Sequence, residues 1–255
     1  MGMRIPKATS LLFAAMAAWL VAGAVRAAPV DLELVVAVDI SRSVDDVEAR
    51  LQRQGYIEAF QNPRVIEAIQ AGIIGAIAVT YVEWAGADYQ RTMIDWFLIR
   101  DGESAAEFAA RIAALPRLSM GWTSISGAID YCSLQFGTAY QGVRRVIDVS
   151  GDGANNSGRA ARLARDEAVA QGIVINGLPI LNDRPNFGRP AERNLDTYYE
   201  EEVIGGPGSF LIAAEDFNAF GSAILSKLIR EIAAAPGAAR AAALGAKLRP
   251  ASPGE

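Results

Sequence analysis

The segment Asp39-Ile40-Ser41-Arg42-Ser43 sets one carboxylate and two hydroxyls at alternate positions directly after an apolar run. Alternate residues of an extended turn project to one side, so the three oxygens can converge. Two further segments offer matching groups: Thr123 in Gly121-Trp122-Thr123-Ser124, and Asp152 in Ser150-Gly151-Asp152-Gly153. Asp39, Ser41, Ser43, Thr123 and Asp152 together form a candidate ligand set for a hard divalent cation. Mg²⁺ wants six oxygens at about 2.1 Å and keeps several of them as water. Taken singly, Ser43 and Thr123 have a plainer reading, because each precedes a helix where such side chains cap free N–H groups.

What the chain lacks narrows the chemistry further. It has no histidine, so neither a Ser/His/Asp or Cys/His catalytic unit nor a His-ligated zinc can form. Its one cysteine, Cys132, excludes an intrachain disulfide and a thiolate cluster. Any bound metal must therefore sit on oxygen, which favours Mg²⁺, Mn²⁺ or Ca²⁺. The formal charge of −5 and the absence of a long basic run argue against a nucleic-acid partner.

The elements that must position these residues follow from hydrophobic pattern. Residues 32–38 (LELVVAV) read as a strand buried on both faces, as in a parallel sheet. Residues 44–61 have helical spacing, with Val47, Leu51, Tyr56 and Phe60 on one face, and 65–70 form a further short helix. Residues 76–84 and 92–99 read as a hairpin whose second strand lies at the sheet edge. Then follow a helix (104–115), a helix (124–136), a strand (144–150), a helix (158–171), a strand (173–179), a short last strand (210–214) and a last helix (217–234). Strands alternating with helices predict an α/β sandwich with a mostly parallel sheet, whose ligand sites lie at the carboxyl ends of the strands. All three candidate segments fall there or at a helix start. Residues 235–255 are rich in Ala, Gly and Pro and read as a loose tail.

The order Asp-x-Ser-x-Ser, then Thr, then Asp resembles the metal-ion-dependent adhesion site of von Willebrand factor A domains, and the resemblance covers about 31–234. It implies a three-layer, Rossmann-like fold with one antiparallel edge strand. It also implies that the serines and often the threonine touch the ion while the aspartates act largely through water, so that an open position accepts a partner's carboxylate. The wording Val149-Ser150-Gly151-Asp152-Gly153 differs from the Thr-Asp-Gly of animal adhesion modules. It looks more like an uncharacterised group of exported bacterial proteins of this fold.

The function so implied is a metal-dependent adhesion or assembly module that binds a protein ligand through an acidic side chain. One alternative is a metal-assisted hydrolase, weakened because Asp39-Ile40-Ser41 lacks the second aspartate of Asp-x-Asp phosphatases. Another is a scaffold whose metal is structural or absent. Elsewhere, Asp148 within a strand reads as a paired structural carboxylate, and Asn155 and Asn156 as turn residues with a possible contact behind the metal ligands. Trp122 reads as a packed loop anchor, or as a partner hot spot if exposed. Cys132 reads as a small buried hydrophobe. The irregular stretch 181–209 starts on the metal face, and it carries the acidic run Glu200 to Glu202 and room for a short helix over 193–203.

The N-terminus reads as a leader for export to the periplasm or beyond. Arg4 and Lys7 precede an uncharged run of 14 residues (11–24), and Val25-Arg26-Ala27 offers small residues for a cut after Ala27. The run is short for a membrane span, which needs about 20 residues. Loss of 1–27 removes Arg4, Lys7 and Arg26 and no acid, leaving 21 basic against 29 acidic side chains and a net charge of −8. The exported chain should start near Ala28. N-terminal sequencing from the host checks this, and a start at Met1 on tightly membrane-bound protein refutes it.

Overall fold

The computed structural model describes residues 27–181 and 193–233. The tail over 235–255 and the leader, apart from Ala27, lie outside the described residues, and no helix among those described is long and apolar enough to cross a membrane. Five strands form one sheet: β1 (Ala28–Asp39), β2 (Ile77–Trp84), β3 (Gln90–Ile99), β4 (Tyr140–Gly151) and β5 (Val174–Pro179). Their order is β3-β2-β1-β4-β5, parallel throughout except for the edge strand β3, which pairs antiparallel with β2. Both the fold class and the edge hairpin agree with the sequence reading. The expected strand over 210–214 is reduced to isolated bridges, Gly177 with Leu211 and Ile180 with Ala214. Its flanking Gly206 and Gly208, both at positive φ, bend the chain before a ladder can extend.

The central strand β1 explains the three layers. Leu32, Leu34, Val36 and Val38 join one core with Tyr56 and Phe60 of α1 (Asp46–Gln61), Val65 of α2 (Pro63–Gln70), Phe108 of α3 (Gly102–Ala113) and Phe220 and Ile224 of α7 (Phe220–Ala233). Val35 and Ala37 point the other way, into a second core with Ile129 of α4 (Ile125–Ser133), Ala164 of α5 (Ala161–Ala170), Leu195 of α6 (Leu195–Tyr198) and Tyr199 of a π-helical turn, Tyr199–Val203. A strand buried on both faces is apolar at most positions, hence the run over 34–38, and the acids it buries, Asp31 and Glu33, need partners. Edge-on contacts of the Tyr56 ring with Tyr81 (5.8 Å) and Phe220 (5.3 Å) lock α1 and α7 onto the first face. On α1, Val47 is exposed, because the capping box of Asp45 and Glu48 turns it to solvent in the first turn; Gln52 and Ala59 fill the inner face with Tyr56 and Phe60.

The same first face buries a charged group. Lys227 of α7 stands 2.5 Å from Asp148 of β4 and 2.5 Å from Glu231, with all three side chains inaccessible to water. Asn176 of β5 donates to Glu231 at 2.9 Å. Asp148 is thus a structural, paired carboxylate. Burial first and the Glu231 charge second push its carboxyl up to about 7, against the pull of Lys227. A folded Asp148 therefore keeps its proton to higher pH than an unfolded one, so its contribution to stability is greatest in acid and is lost as pH rises through about 7. Lys227→Met should cost about 3–5 kcal/mol at pH 8, where a buried carboxylate loses its cation, and clearly less at pH 5. Urea unfolding at both values checks this; equal costs would show that the lysine does not compensate Asp148.

Candidate metal centre

β1 and β4 run parallel with Val38 opposite Ser150, so their carboxyl ends, and with them Asp39 and Asp152, reach the same edge. The loop before α4 is stitched onto that edge. The Met120 N–H donates to the Ile40 carbonyl at 3.1 Å and the Ser124 N–H to the Ala85 carbonyl at 2.7 Å, which brings in Thr123. Asn156 holds Thr123 from the far side: its Oδ1 accepts from the Thr123 N–H at 2.9 Å, and its own N–H donates to the Thr123 carbonyl at 2.8 Å. Asn155 accepts from the Ser126 N–H at 3.0 Å, tying the loop after β4 to α4. The two asparagines therefore position the loops around the ligand set.

Four of the five candidate residues form one chain of hydrogen bonds. The Ser41 N–H donates to Asp39 Oδ1 (2.7 Å), the Ser41 and Ser43 hydroxyls lie 2.8 Å apart, and Ser43 donates to Asp152 Oδ1 (2.6 Å). The fifth, Thr123, is buried beside them, its Oγ1 3.8 Å from where a Cβ on Gly153 would stand. Asp39 and Ser41 are sealed from solvent, whereas Ser43 is half-buried. The caps that competed for two of these hydroxyls come from other residues. Asp45 caps α1, and Ser124 caps α4 through the Gly127 N–H at 3.1 Å. The Ser43 hydroxyl instead meets Ser41 and Asp152.

The electrostatics favour a cation. Burial, and then the neighbouring Asp152 charge, hold the Asp39 carboxyl well above the usual carboxylate range, against hydrogen bonds from Ser41 that pull it down. Asp39 Oδ2 is buried with no hydrogen-bond partner. A divalent ion beside the pair would relieve both the like-charge repulsion and the unmet oxygen. Among the described residues no three Asp, Glu, His or Cys side chains cluster, so the donors for such an ion are hydroxyls and this one carboxylate pair. That set suits a hard ion which keeps part of its water.

Several neighbours complete the site. Trp122 is 60% exposed and sits at φ +67°, a backbone region costly for a side chain of this size, so it is not the packed anchor expected. Cys132 is fully buried on α4 and burial alone pushes its thiol up, as packing requires. Glu202 lies 3.7 Å from Arg162 and the Glu201 carbonyl accepts from Arg165, so the acidic run edges α5. A residue of this site that carries no pattern signal is Tyr199, whose buried hydroxyl borders the same Gly151 position as Asp39 Oδ2. Tyrosine inside an irregular stretch carries no periodic signal, and of the glycines that admit it, Gly151 reads as a strand-end residue and Gly177 as one position inside the strand over 173–179.

A family model described as protein of unknown function (DUF1194) matches residues 29–236. No curated protein matches. Among solved structures, proximal thread matrix protein 1 of the mussel byssus is similar with a TM-score of 0.57 and 14% identity, over 81% of this chain and 49% of that one. A second structure of it has a zinc-occupied MIDAS motif (TM-score 0.56, 13% identity, 81% and 46% covered). The pilus adhesin SpaC of Lactobacillus rhamnosus GG (TM-score 0.57, 14% identity, 81% and 30% covered) is similar too. So is a von Willebrand factor type A structure from Catenulispora acidiphila (TM-score 0.55, 13% identity, 80% and 43% covered). This chain spans about half or less of each of these, and at such identities the likeness establishes the fold. The capping assignment is open to direct test. Ser124→Ala should cost about 1 kcal/mol of stability, and Thr123→Val, which deletes a hydroxyl that caps nothing, less than about half of that. Thermal unfolding of metal-free protein measures both, and a larger loss at Thr123 would return it to a capping role.

Proposed function

This chain belongs to the DUF1194 family and has the von Willebrand factor type A fold, and from that premise we propose that it is an exported, cation-dependent protein-binding module. It serves adhesion or assembly outside the cytoplasm, in the periplasm or beyond, and docks an acidic side chain of a partner protein on a bound divalent ion, Mg²⁺ or else Mn²⁺ or Ca²⁺. Ser41, Ser43 and Thr123 would hold the ion, with Asp39 and Asp152 acting largely through water. The observation that carries this reading is the hydrogen-bonded line Asp39–Ser41–Ser43–Asp152 at the strand ends, with a buried, unpartnered oxygen on Asp39. The zinc-occupied site of the mussel protein supports a divalent ion, and the adhesin among the similar structures supports a binding role.

The chemistry agrees. Neutral hydroxyls donate little charge, so an ion held mainly by them stays electrophilic and attracts a carboxylate from outside. The exposed Trp122 beside Thr123 offers the apolar area that partner surfaces favour around such a contact. Catalysis is disfavoured, because the chain has no histidine to act as base and its first loop has only one aspartate.

Chelator-treated protein should melt higher when millimolar Mg²⁺ or Mn²⁺ is added. A ligand specific for the folded state contributes about 2.7 kcal/mol at 100 times its Kd. Asp152→Ala should abolish that rise while changing metal-free stability by no more than about 1 kcal/mol, since the hydrogen bond lost from Ser43 is offset by relief of the repulsion with Asp39. Calorimetry decides: no rise in the wild type defeats the metal-dependent reading, and an undiminished rise in the variant defeats the site assignment.

A further inference from the structure

Tyr199 opens the π-helical turn Tyr199–Val203, closed by the Ile204 N–H donating to the Tyr199 carbonyl at 2.9 Å. Single π-turns recur at functional sites because they push one side chain out of helical register. Here the turn is pinned to β5 by paired hydrogen bonds between Gly205 and Ile175, at 2.9 and 3.1 Å. The Tyr199 ring then runs across two strand positions that lack a Cβ. A Cβ on Gly177 would stand 2.7 Å from the ring, and one on Gly151 would stand 3.0 Å from the hydroxyl. The latter would also stand 2.8 Å from Asp39 Oδ2. The phenol and the inner oxygen of Asp39 thus both border the space that a side chain at Gly151 would fill.

Both oxygens are sealed from water and neither has a hydrogen-bond partner. Unmet buried polar atoms in native proteins call for an explanation, and two that border the same Gly151 position from different elements call for a common one. A phenol keeps its proton at physiological pH, so the Tyr199 hydroxyl is available as a donor.

We propose that Tyr199 is a positioning residue of the metal centre: in the ion-bound protein its hydroxyl donates to the inner oxygen of Asp39, fixes that carboxylate for its role beside the ion, and ties occupancy of the site to the π-helical turn. The inference rests on the metal-binding reading above. Partners of this kind hold a ligand's orientation, and losing one weakens metal affinity by about 10- to 100-fold.

The test is calorimetric titration of the exported chain with Mn²⁺, comparing wild type with Tyr199→Phe. The variant should bind Mn²⁺ at least about tenfold more weakly, with a metal-free melting temperature equal to or above that of the wild type. A merely structural tyrosine would lower the melting temperature and leave affinity alone. Wild type should also show a tyrosine near-ultraviolet difference band on adding Mn²⁺, absent from the variant. Equal affinities overturn the inference and leave the metal reading standing, whereas a wild type that binds no ion overturns both. Should Tyr199→Phe fail to fold, amide exchange in the wild type decides, since Mn²⁺ should protect the backbone of 199–205 and no added protection refutes the link.

Discussion

The parallel register of β1 and β4 is the constraint from which the rest follows. With Val38 opposite Ser150, the two central strands end together, and the carboxylates one or two residues beyond must share one edge. A shift by one residue would turn Asp39 toward the opposite core and leave it far from Asp152. The buried acids Asp31 and Glu33 help to hold that register, because a slipped pairing would part them from the N–H groups of Ile74 and Gly142. The helices then act as walls. α1, α2, α3 and α7 close one face, while α4, α5 and the π-turn close the other.

Much of this arrangement is legible in the residues themselves. The apolar run ending at Asp39 announces a central strand whose end reaches the edge shared with Asp152, and the order of hydroxyls and carboxylates announces the segments that meet there. Asn155 and Asn156 are visible as turn residues, but their hydrogen bonds to the loop carrying Thr123 are long-range and have no sequence signature. The caps were harder to place, since Ser43 and Asp45, like Thr123 and Ser124, are equally good capping residues by type. Backbone direction at the loop decides between them, and the structure assigns the cap in each case to the second residue. The strand expected over 210–214 failed for a related reason: apolar content alone does not supply a ladder where flanking glycines turn the chain.

Lys227 shows the same limit in the core. On pattern it belongs to an amphipathic helix, where lysine faces water. Nothing local indicates that the partner is Asp148, separated by almost eighty residues and delivered by a different layer. Such pairings are specified by topology, so they appear only once the sheet order and the docking of α7 are known.

The buried acids of this fold differ in how they are neutralised, and the difference locates the chemistry. Asp31, at the far end of the sheet, accepts from the N–H groups of Ile74 and Gly75. Glu33 accepts from Gly142 and lies 3.5 Å from Arg145. Glu83 has Arg53 at 3.6 Å, and Asp148 has Lys227. Each of these is met by backbone dipoles or by a cation of the chain. Asp39 receives hydrogen bonds from Ser41, yet its nearest charge is another carboxylate, and among the described residues no lysine or arginine is ion-paired with it. In the proposed reading, a bound cation would supply the counter-charge that burial and Asp152 ask for at Asp39. Perturbed carboxylates of this kind, set at strand ends, are where binding chemistry is concentrated. The electrostatic cost that burial and Asp152 place on Asp39 is thus a local inconsistency of the kind that marks functional sites, and it is the cost that the proposed cation would relieve.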